Sequence, residues 1–234
     1  MHEIAILMAA GLGSRMRPLT DATAKPLVQV NGVPLIETVV AALRKRGVRE
    51  IHVVTGYKAE QFKSLAATDG DIHLVHNPEY AIKNNINSIA VAADKMKDSD
   101  CFICEADLFV ANESVLCRDL QTSGYFGKMV EGRSDDWVFD TDEAGRITRV
   151  GKVGTDCFNM VGISYFKAID SAKIAAAVLE DVKKPENAQL FWDEVVDRLV
   201  KVGDLNLVVH EVSAGDIVEC DTVDDLNALE ARLK

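Results

Sequence analysis

One stretch limits the possible folds of this chain more than any other. The apolar run Ile4-Ala5-Ile6-Leu7-Met8 gives way to Ala9-Ala10-Gly11-Leu12-Gly13-Ser14, and then to the basic side chains Arg15, Arg17 and Lys25. An unbroken apolar run of this length predicts a strand over 3–8 buried on both faces, as in a parallel sheet covered by helices. The small residues after it leave backbone N–H groups bare in a loop that can close on a phosphate chain, with the three basic residues as counter-charges. Two familiar glycine loops fail on spacing. The third glycine of a dinucleotide fingerprint would fall at Met16, and Gly13 is followed by Ser14-Arg15 where a Walker loop has Lys-Ser/Thr. The plainer alternative is a strand-to-helix turn that holds no ligand.

The 234 residues suffice for one substantial α/β domain, and an apolar fraction of 48% with 27% charged is that of a globular protein. With 26 basic against 37 acidic residues, the formal charge of −11 argues against nucleic acid or an anionic membrane as partner. A polyanionic ligand would therefore need a local cluster of cations and a metal ion. Cys101 and Cys104 are three apart on an apolar run, so on a strand they face opposite ways and cannot share a metal. Five scattered cysteines are expected as reduced thiols in a cytoplasmic protein. No run is long enough to span a membrane, and the segment 4–8 lacks the basic flank of a signal peptide.

Strand and helix signals alternate along the first half, as in a doubly wound sheet. Strands are expected at 50–55, 72–75 and 100–105, and helices at 35–46, 58–65 and 88–96. Further strands are expected at 137–140, 147–150, 160–166 and within 207–218, with helices at 171–182, 190–201 and 223–233. The strand at 100–105 runs into Glu105-Ala106-Asp107, and a carboxylate at the carboxyl end of a central strand lies where open α/β sheets bind ligands. Asp107 suits Mg²⁺, a hard ion that takes one or two carboxylates together with phosphate oxygens and water; a strand-terminating turn is the other reading. A later run, Ile217-Val218-Glu219-Cys220-Asp221, sets Glu219 and Asp221 on one face. The five histidines form no cluster.

The full pattern Met8-Ala9-Ala10-Gly11-x-Gly13-Ser14-Arg15-x-x-Pro18-x-Thr20, then Lys25-Pro26, resembles the N-terminal motif of nucleotidyltransferases with a GT-A-like fold. It departs at Met8, where Leu is usual, and at Ala24, where Pro is usual. Asn84-Asn85-x-x-Ser88, Asp135-Asp136-Trp137, Phe191-Trp192-Asp193-Glu194 and Val218-Glu219-Cys220-Asp221-Thr222 extend the likeness over nearly the whole chain. In order and spacing they resemble the bacterial phosphocholine cytidylyltransferases.

That resemblance implies a single α/β domain over 1–234: a Rossmann-like, GT-A-type mixed, mostly parallel sheet flanked by helices, with a small acceptor-binding subdomain. The nucleotide half would cover about 1–110, and the acceptor half with the second metal ligand about 111–234. It implies Mg²⁺-dependent transfer of CMP from CTP to phosphocholine, giving CDP-choline and pyrophosphate. Arg15 and Lys25 would be catalytic, and Asp107 and Asp221 would hold the metal, with Glu219 a lesser candidate. Ala9, Ala10, Gly11, Leu12, Gly13, Ser14, Arg15, Asn84, Asn85 and Ser88 would bind the nucleotide. Tyr80, Lys83, Trp137, Trp192, Asp193 and Glu194 would bind the acceptor. Because both tryptophans adjoin carboxylates, an aromatic cage for a quaternary ammonium is expected; packing residues on a strand and a helix are the alternative. The sequence also has Ile86-Asn87 where the choline enzymes carry aromatics, which would suit a primary ammonium, as in phosphoethanolamine or 2-aminoethylphosphonate. A sugar-1-phosphate nucleotidyltransferase and a non-catalytic nucleotide-binding module are the competing readings. The latter would be expected to lose some of Arg15, Lys25, Asp107 and Asp221, all of which are present.

Overall fold

The computed structural model describes residues 2–233. Strand β1 (Glu3–Ala9) ends in the glycine loop, followed by the single-turn helix α1 (Leu19–Ala22). A small hairpin, β2 (Gln29–Val30) and β3 (Val33–Pro34), turns at Asn31-Gly32, where both residues have positive φ, the conformation that tight hairpins demand. Helix α2 (Leu35–Arg46) ends at Gly47, whose φ of 104° lets its N–H reach back to the Leu43 and Arg44 carbonyls. Then come β4 (Ile51–Thr55), α3 (Lys63–Thr68), β5 (Ile72–His76), α4 (Ile86–Ala92), β6 (Asp100–Glu105) and β7 (Leu108–Val110). The second half contains two long strands, β8 (Gly124–Thr141) and β9 (Ile147–Phe166), then α5 (Ala168–Asp181), α6 (Trp192–Lys201), β10 (Val208–Glu211), β11 (Ile217–Glu219) and α7 (Val223–Arg232).

Seven strands form one mixed sheet in the order β10-β8-β9-β6-β1-β4-β5. Strands β6, β1, β4 and β5 run parallel to one another and β10 runs parallel to β8, while β9 is antiparallel to both β6 and β8. The sheet is therefore the mostly parallel, helix-flanked sheet expected from the sequence, and β8–β10 of the second half extend it. Alternation along the central strands feeds two cores. Ala5, Leu7 and Cys104 face the α2 side, and Ile4, Ile6 and Cys101 face the side covered by α4, α5 and α6. The two thiols thus diverge as strand geometry requires, and all five cysteines are free.

The sequence underestimates β8 and β9. Residues 130–137 and 151–157 leave the main ladder as a paired arm, and Val138 then pairs with both Gly151 and Asn159. Polar residues throughout the arm hide it from a hydrophobic pattern. Strand β1 has β4 on one side and β6 on the other, so the chain reverses its winding direction there. The carboxyl ends of β1, β5 and β6 consequently open onto one crevice, the usual ligand position in such sheets.

Candidate active site

The crevice holds two adjoining clefts, of about 240 Å³ and 220 Å³, that share Met8, Gly11, Arg15 and Asp107. The smaller is lined by Ala9, Gly13, Ser14, Lys25 and Pro26. Gly13 has φ of 62°, and a Cβ there would stand 2.9 Å from both Lys25 Cβ and Thr20 Cγ2. The glycine therefore lets the loop close over the lysine stem. Thr20 Oγ1 donates to the Gly13 carbonyl at 2.8 Å and fixes that closure. Leu12 projects outward, 44% exposed.

Lys25 is the hub of the site. Its buried ammonium donates to Asp107 Oδ2 at 2.6 Å and to Asp221 Oδ1 at 2.7 Å. Arg15 takes the other Asp221 oxygen at 2.8 Å. Burial acts to lower the Lys25 pKa, but the charges and hydrogen bonds of Asp107 and Asp221 outweigh it and hold it above 10.5. Burial likewise opposes ionisation of Asp221, and the Lys25 and Arg15 cations prevail and lower its pKa. Position 221 is set by the start of α7. Thr222 Oγ1 accepts from the Asp225 N–H at 3.1 Å, and Asp225 Oδ2 accepts from the N–H groups of Thr222 and Asp221 at 2.8 and 3.2 Å. Two carboxylates distant in sequence are thereby brought onto one cation.

The larger cleft adds Glu105 and Glu219. Burial, then the charges of Asp107 and Glu219, push the Glu105 carboxyl well above its usual range. Loss of hydration, then Asp221 and Asp107, raise Glu219 to about 8. Lys25 and Arg15 are thus taken up by Asp107 and Asp221, while Glu105 and Glu219 are held towards their neutral forms and would give up protons to an entering cation. Among the described residues, no three histidine, cysteine or carboxylate side chains converge as a ready-made metal cage. The donor set fits Mg²⁺, which needs only one or two carboxylates and completes its shell with phosphate oxygens and water.

The opposite wall of the larger cleft comes from the connection between β5 and α4 and the first turn of α4: Asn77, Tyr80, Lys83, Asn84, Asn85 and Ser88. Lys83 is bound to Glu79 at 2.9 Å. Asn84 and Asn85 reach across to the segment before α6: Asn84 Nδ2 donates to the Gln189 carbonyl, and Asn85 Oδ1 accepts from the Trp192 N–H at 3.0 Å. Ile86 and Asn87 are buried, with Asn87 Nδ2 bonded to Asn77 Oδ1 at 2.6 Å, so neither lines the cleft where the sequence reading put them.

The expected aromatic cage does not assemble. Trp192 is 2% exposed, packed between Tyr125 and Phe166, because α6 turns its apolar face to the sheet. Asp193 is also buried, accepting from the Tyr125 hydroxyl at 3.2 Å, and burial raises its carboxyl to about 7. Glu194 caps α6, its Oε2 accepting from the Phe191 N–H at 2.8 Å. Trp137 lies in a separate groove against Phe191, with the Lys152 ammonium 5.3 Å from its ring centroid. Of the six acceptor candidates, only Tyr80 and Lys83 line the cleft. Glu105 and Asn77 are cleft residues that the sequence reading passed over. Glu105 could have been found by strand alternation with Asp107, and Asn77 by its place just after a parallel strand.

The chain is similar to known proteins over nearly its whole length. The chain is 46% identical over 226 residues to the 2-aminoethylphosphonate cytidylyltransferase of Lancefieldella rimae, covering 97% of this chain and 91% of that protein. It is 31% identical to the choline-phosphate cytidylyltransferase of Streptococcus pneumoniae, covering 98% of each. The solved structure of CTP:phosphocholine cytidylyltransferase from that organism superposes with a TM-score of 0.90 over the full length of both chains, at 31% identity. Residues 5–130 match the model of the MobA-like NTP transferase domain. The relatives support cytidylyl transfer as the activity, and the chain belongs to the MobA-like NTP transferase family as a nucleotidyltransferase.

Proposed function

We propose that the protein transfers CMP from CTP to 2-aminoethylphosphonate, releasing pyrophosphate, with Mg²⁺ as cofactor. The observation that carries this reading is the chemistry of the larger cleft, where two spare carboxylates, Glu105 and Glu219, stand without an aromatic cage. A quaternary ammonium has no N–H to donate and favours aromatic faces, but Tyr80 is the one aromatic ring lining this cleft, and the Tyr125 and Trp192 rings behind Glu105 enclose a cavity of only about 10 Å³. A primary ammonium carries three donors, which carboxylates satisfy. The closer likeness to the aminoethylphosphonate enzyme supports the same choice, so the phosphocholine expectation gives way to its alternative.

The reaction joins two anions. A phosphonate oxygen attacks the α-phosphorus of CTP, the bond from that phosphorus to the bridging oxygen breaks, and pyrophosphate leaves with the electron pair. The attacking oxygen is already ionised, so no general base is needed. Catalysis is then a matter of positioning and charge. The loop from Ala9 to Ser14 cradles the triphosphate with its backbone. Arg15 and Lys25 neutralise charge that builds on the α-phosphate and the leaving pyrophosphate. Asp107 and Asp221 would hold Mg²⁺, which when bound would supply Lewis-acid charge to the reacting phosphate groups.

Pyrophosphate release measured with CTP, UTP, ATP and GTP against 2-aminoethylphosphonate, phosphoethanolamine and phosphocholine tests the reading. The expected optimum is CTP with 2-aminoethylphosphonate, abolished by EDTA and restored by Mg²⁺. A higher kcat/KM for phosphocholine, or full turnover in chelator, would overturn the corresponding part.

A further inference from the structure

Strand β5 closes one side of the seven-stranded sheet, and its outer edge is bare. The Ile51 N–H donates to the Asp71 carbonyl at 2.9 Å, and the Asn77 N–H donates to the Thr55 carbonyl at 2.8 Å. In a parallel ladder alternate residues serve one neighbour, so residues 71, 73, 75 and 77 face β4 while 72, 74 and 76 face away. The Ile72 N–H turns back to the Asp69 carbonyl at 3.2 Å. The backbone N–H and C=O groups of Leu74 and His76 bond to no backbone partner among the described residues. An edge left open in this way is normally blunted by proline, lysine or a bulge. Ile72-His73-Leu74-Val75-His76 has none of these, and it pairs with β4 without a register shift. Leu74, at its middle, is 36% exposed. Helix α3 packs beside β5 on the face of Ile72, yet none of its residues is buried, and Ser64 and Ala67 are exposed. Strand edge and helix together form one strip that nothing on this chain covers.

We propose that β5 is the interface for a second copy of this chain, paired antiparallel across a two-fold axis at Leu74, so that two sheets join into one. Leu74 then exchanges both of its hydrogen bonds with Leu74 of the second copy, and the His76 N–H of each copy meets the Ile72 carbonyl of the other. Such a pairing needs a surface that can face itself. A chain with a formal charge of −11 repels its own copy over most of its surface. Residues 72–76, in contrast, contain no Asp, Glu, Lys or Arg. The acids that flank them are already paired on their own chain: Asp69 with Arg44, Asp71 with Arg49 at 3.5 Å, and Glu79 with Lys83 at 2.9 Å. The edge is thus a strip without net charge on an acidic molecule, which favours a like strand over a strongly basic or acidic one. Leu74 would pack on its counterpart, with the small exposed residues of α3 flanking the pair.

Sedimentation equilibrium of the whole chain from about 1 to 200 μM should show a monomer–dimer equilibrium. The Leu74 and His76 amides should slow in hydrogen exchange as the dimer fills. Leu74→Pro removes an outward N–H that β4 does not use, and His73 before it is already extended, as proline requires. Leu74→Lys sets two like charges face to face across the axis, at a site open enough for the ammonium to reach water in the monomer. Because the axis doubles each change, either variant should raise the dimer dissociation constant about tenfold or more. Circular dichroism melts at a concentration where wild type is monomeric check that each variant folds. A wild type that stays monomeric throughout leaves the edge to solvent or to a strand of another protein, and overturns the proposal. A dimer of unchanged strength in Leu74→Lys and in folded Leu74→Pro also overturns it, since the interface then lies elsewhere. If Leu74→Pro does not fold, Leu74→Lys decides.

Discussion

Strand β6 carries carboxylates at both ends, and the two ends are built on opposite principles. At its start, Asp100 is 2% exposed and accepts from the Ala168 N–H at 2.8 Å, the Tyr165 hydroxyl at 2.8 Å and Lys167 Nζ at 3.1 Å. Burial disfavours its charge, but these donors outweigh it and depress its pKa. At its end, Glu105 and Asp107 meet Glu219 and Asp221, with two cations among the four, and Glu105 is driven the other way. One end is satisfied within the protein. The other carries an imbalance that a ligand must resolve, which is the physical signature of a functional site.

The contrast breaks most directly by removing charge at each end. Lys25→Ala and Asp107→Ala should each lower kcat at least a hundredfold, since removing a preorganised charge from a transition state costs on the order of 3–4 kcal/mol. Steady-state pyrophosphate release, with circular dichroism to confirm folding, measures this. Near-normal turnover in either variant would mean that the charge at this end has no catalytic use.

Asp100→Ala should do the reverse. It leaves the Ala168 N–H unpaired and the Tyr165 hydroxyl with only its longer bond to Glu3 Oε1 at 3.4 Å, and a broken buried polar cluster costs about 2–4 kcal/mol. Turnover per folded molecule should not change, because this end of β6 is remote from the crevice. The pH dependence has a definite sign. The folded-state pKa of Asp100 lies below its ordinary value of 3.8, so its contribution is complete above that value and is lost as pH falls through the depressed one. Urea titrations across the acid range should show wild type losing stability there faster than Asp100→Asn. Equal acid slopes would remove Asp100 from its assigned role.

The two ends also differ in how far the sequence reveals them. The glycine loop, β1 and Asp107 follow from local rules: an apolar run, small residues, and a carboxylate where the run stops. The run 217–221 marks Asp221 as a strand-end carboxylate, but its place beside Asp107 comes only from resemblance, since its pairing with Lys25 joins residues 196 positions apart. The tryptophans misled for the same reason. Beside Asp193 and Glu194, Trp192 looks half polar, yet Asp193 is itself buried through Tyr125, 68 residues away, and Glu194 serves as a cap. The polar arm of β8 and β9 carries no hydrophobic period, so its strands were invisible beyond 137–140, 147–150 and 160–166.

Asp193 offers a pH effect of the opposite sign. Burial raises its carboxyl to about 7, so its contribution to stability is complete below the ordinary 3.8 and is lost as pH rises through about 7. Asp193→Asn should therefore gain stability relative to wild type as pH rises from 4 to 8, by about 4 kcal/mol at most. Denaturant midpoints at pH 4, 6 and 8 test this. A constant difference across that range would show that Asp193 is ionised throughout and held by partners, as Asp100 is.

The smallest expected effect concerns Trp137. Its ring packs edge-on against Phe191 and under the Lys152 ammonium, in a groove apart from the crevice. Trp137→Leu then loses a partly exposed cation–π contact worth about 0.5–1 kcal/mol, with little change in acceptor binding. The acceptor KM for 2-aminoethylphosphonate should stay within about fivefold of wild type, a limit set by that energy if it were all transmitted to the site. The Glu219→Gln variant supplies the counterpart, because removing a carboxylate from the cleft should raise that KM more than the loss of the ring does. If instead Trp137→Leu weakens the acceptor tenfold while Glu219→Gln leaves it unchanged, the ammonium is held by the aromatic groove. The spare charge at the end of β6 would then serve the metal and the nucleotide only.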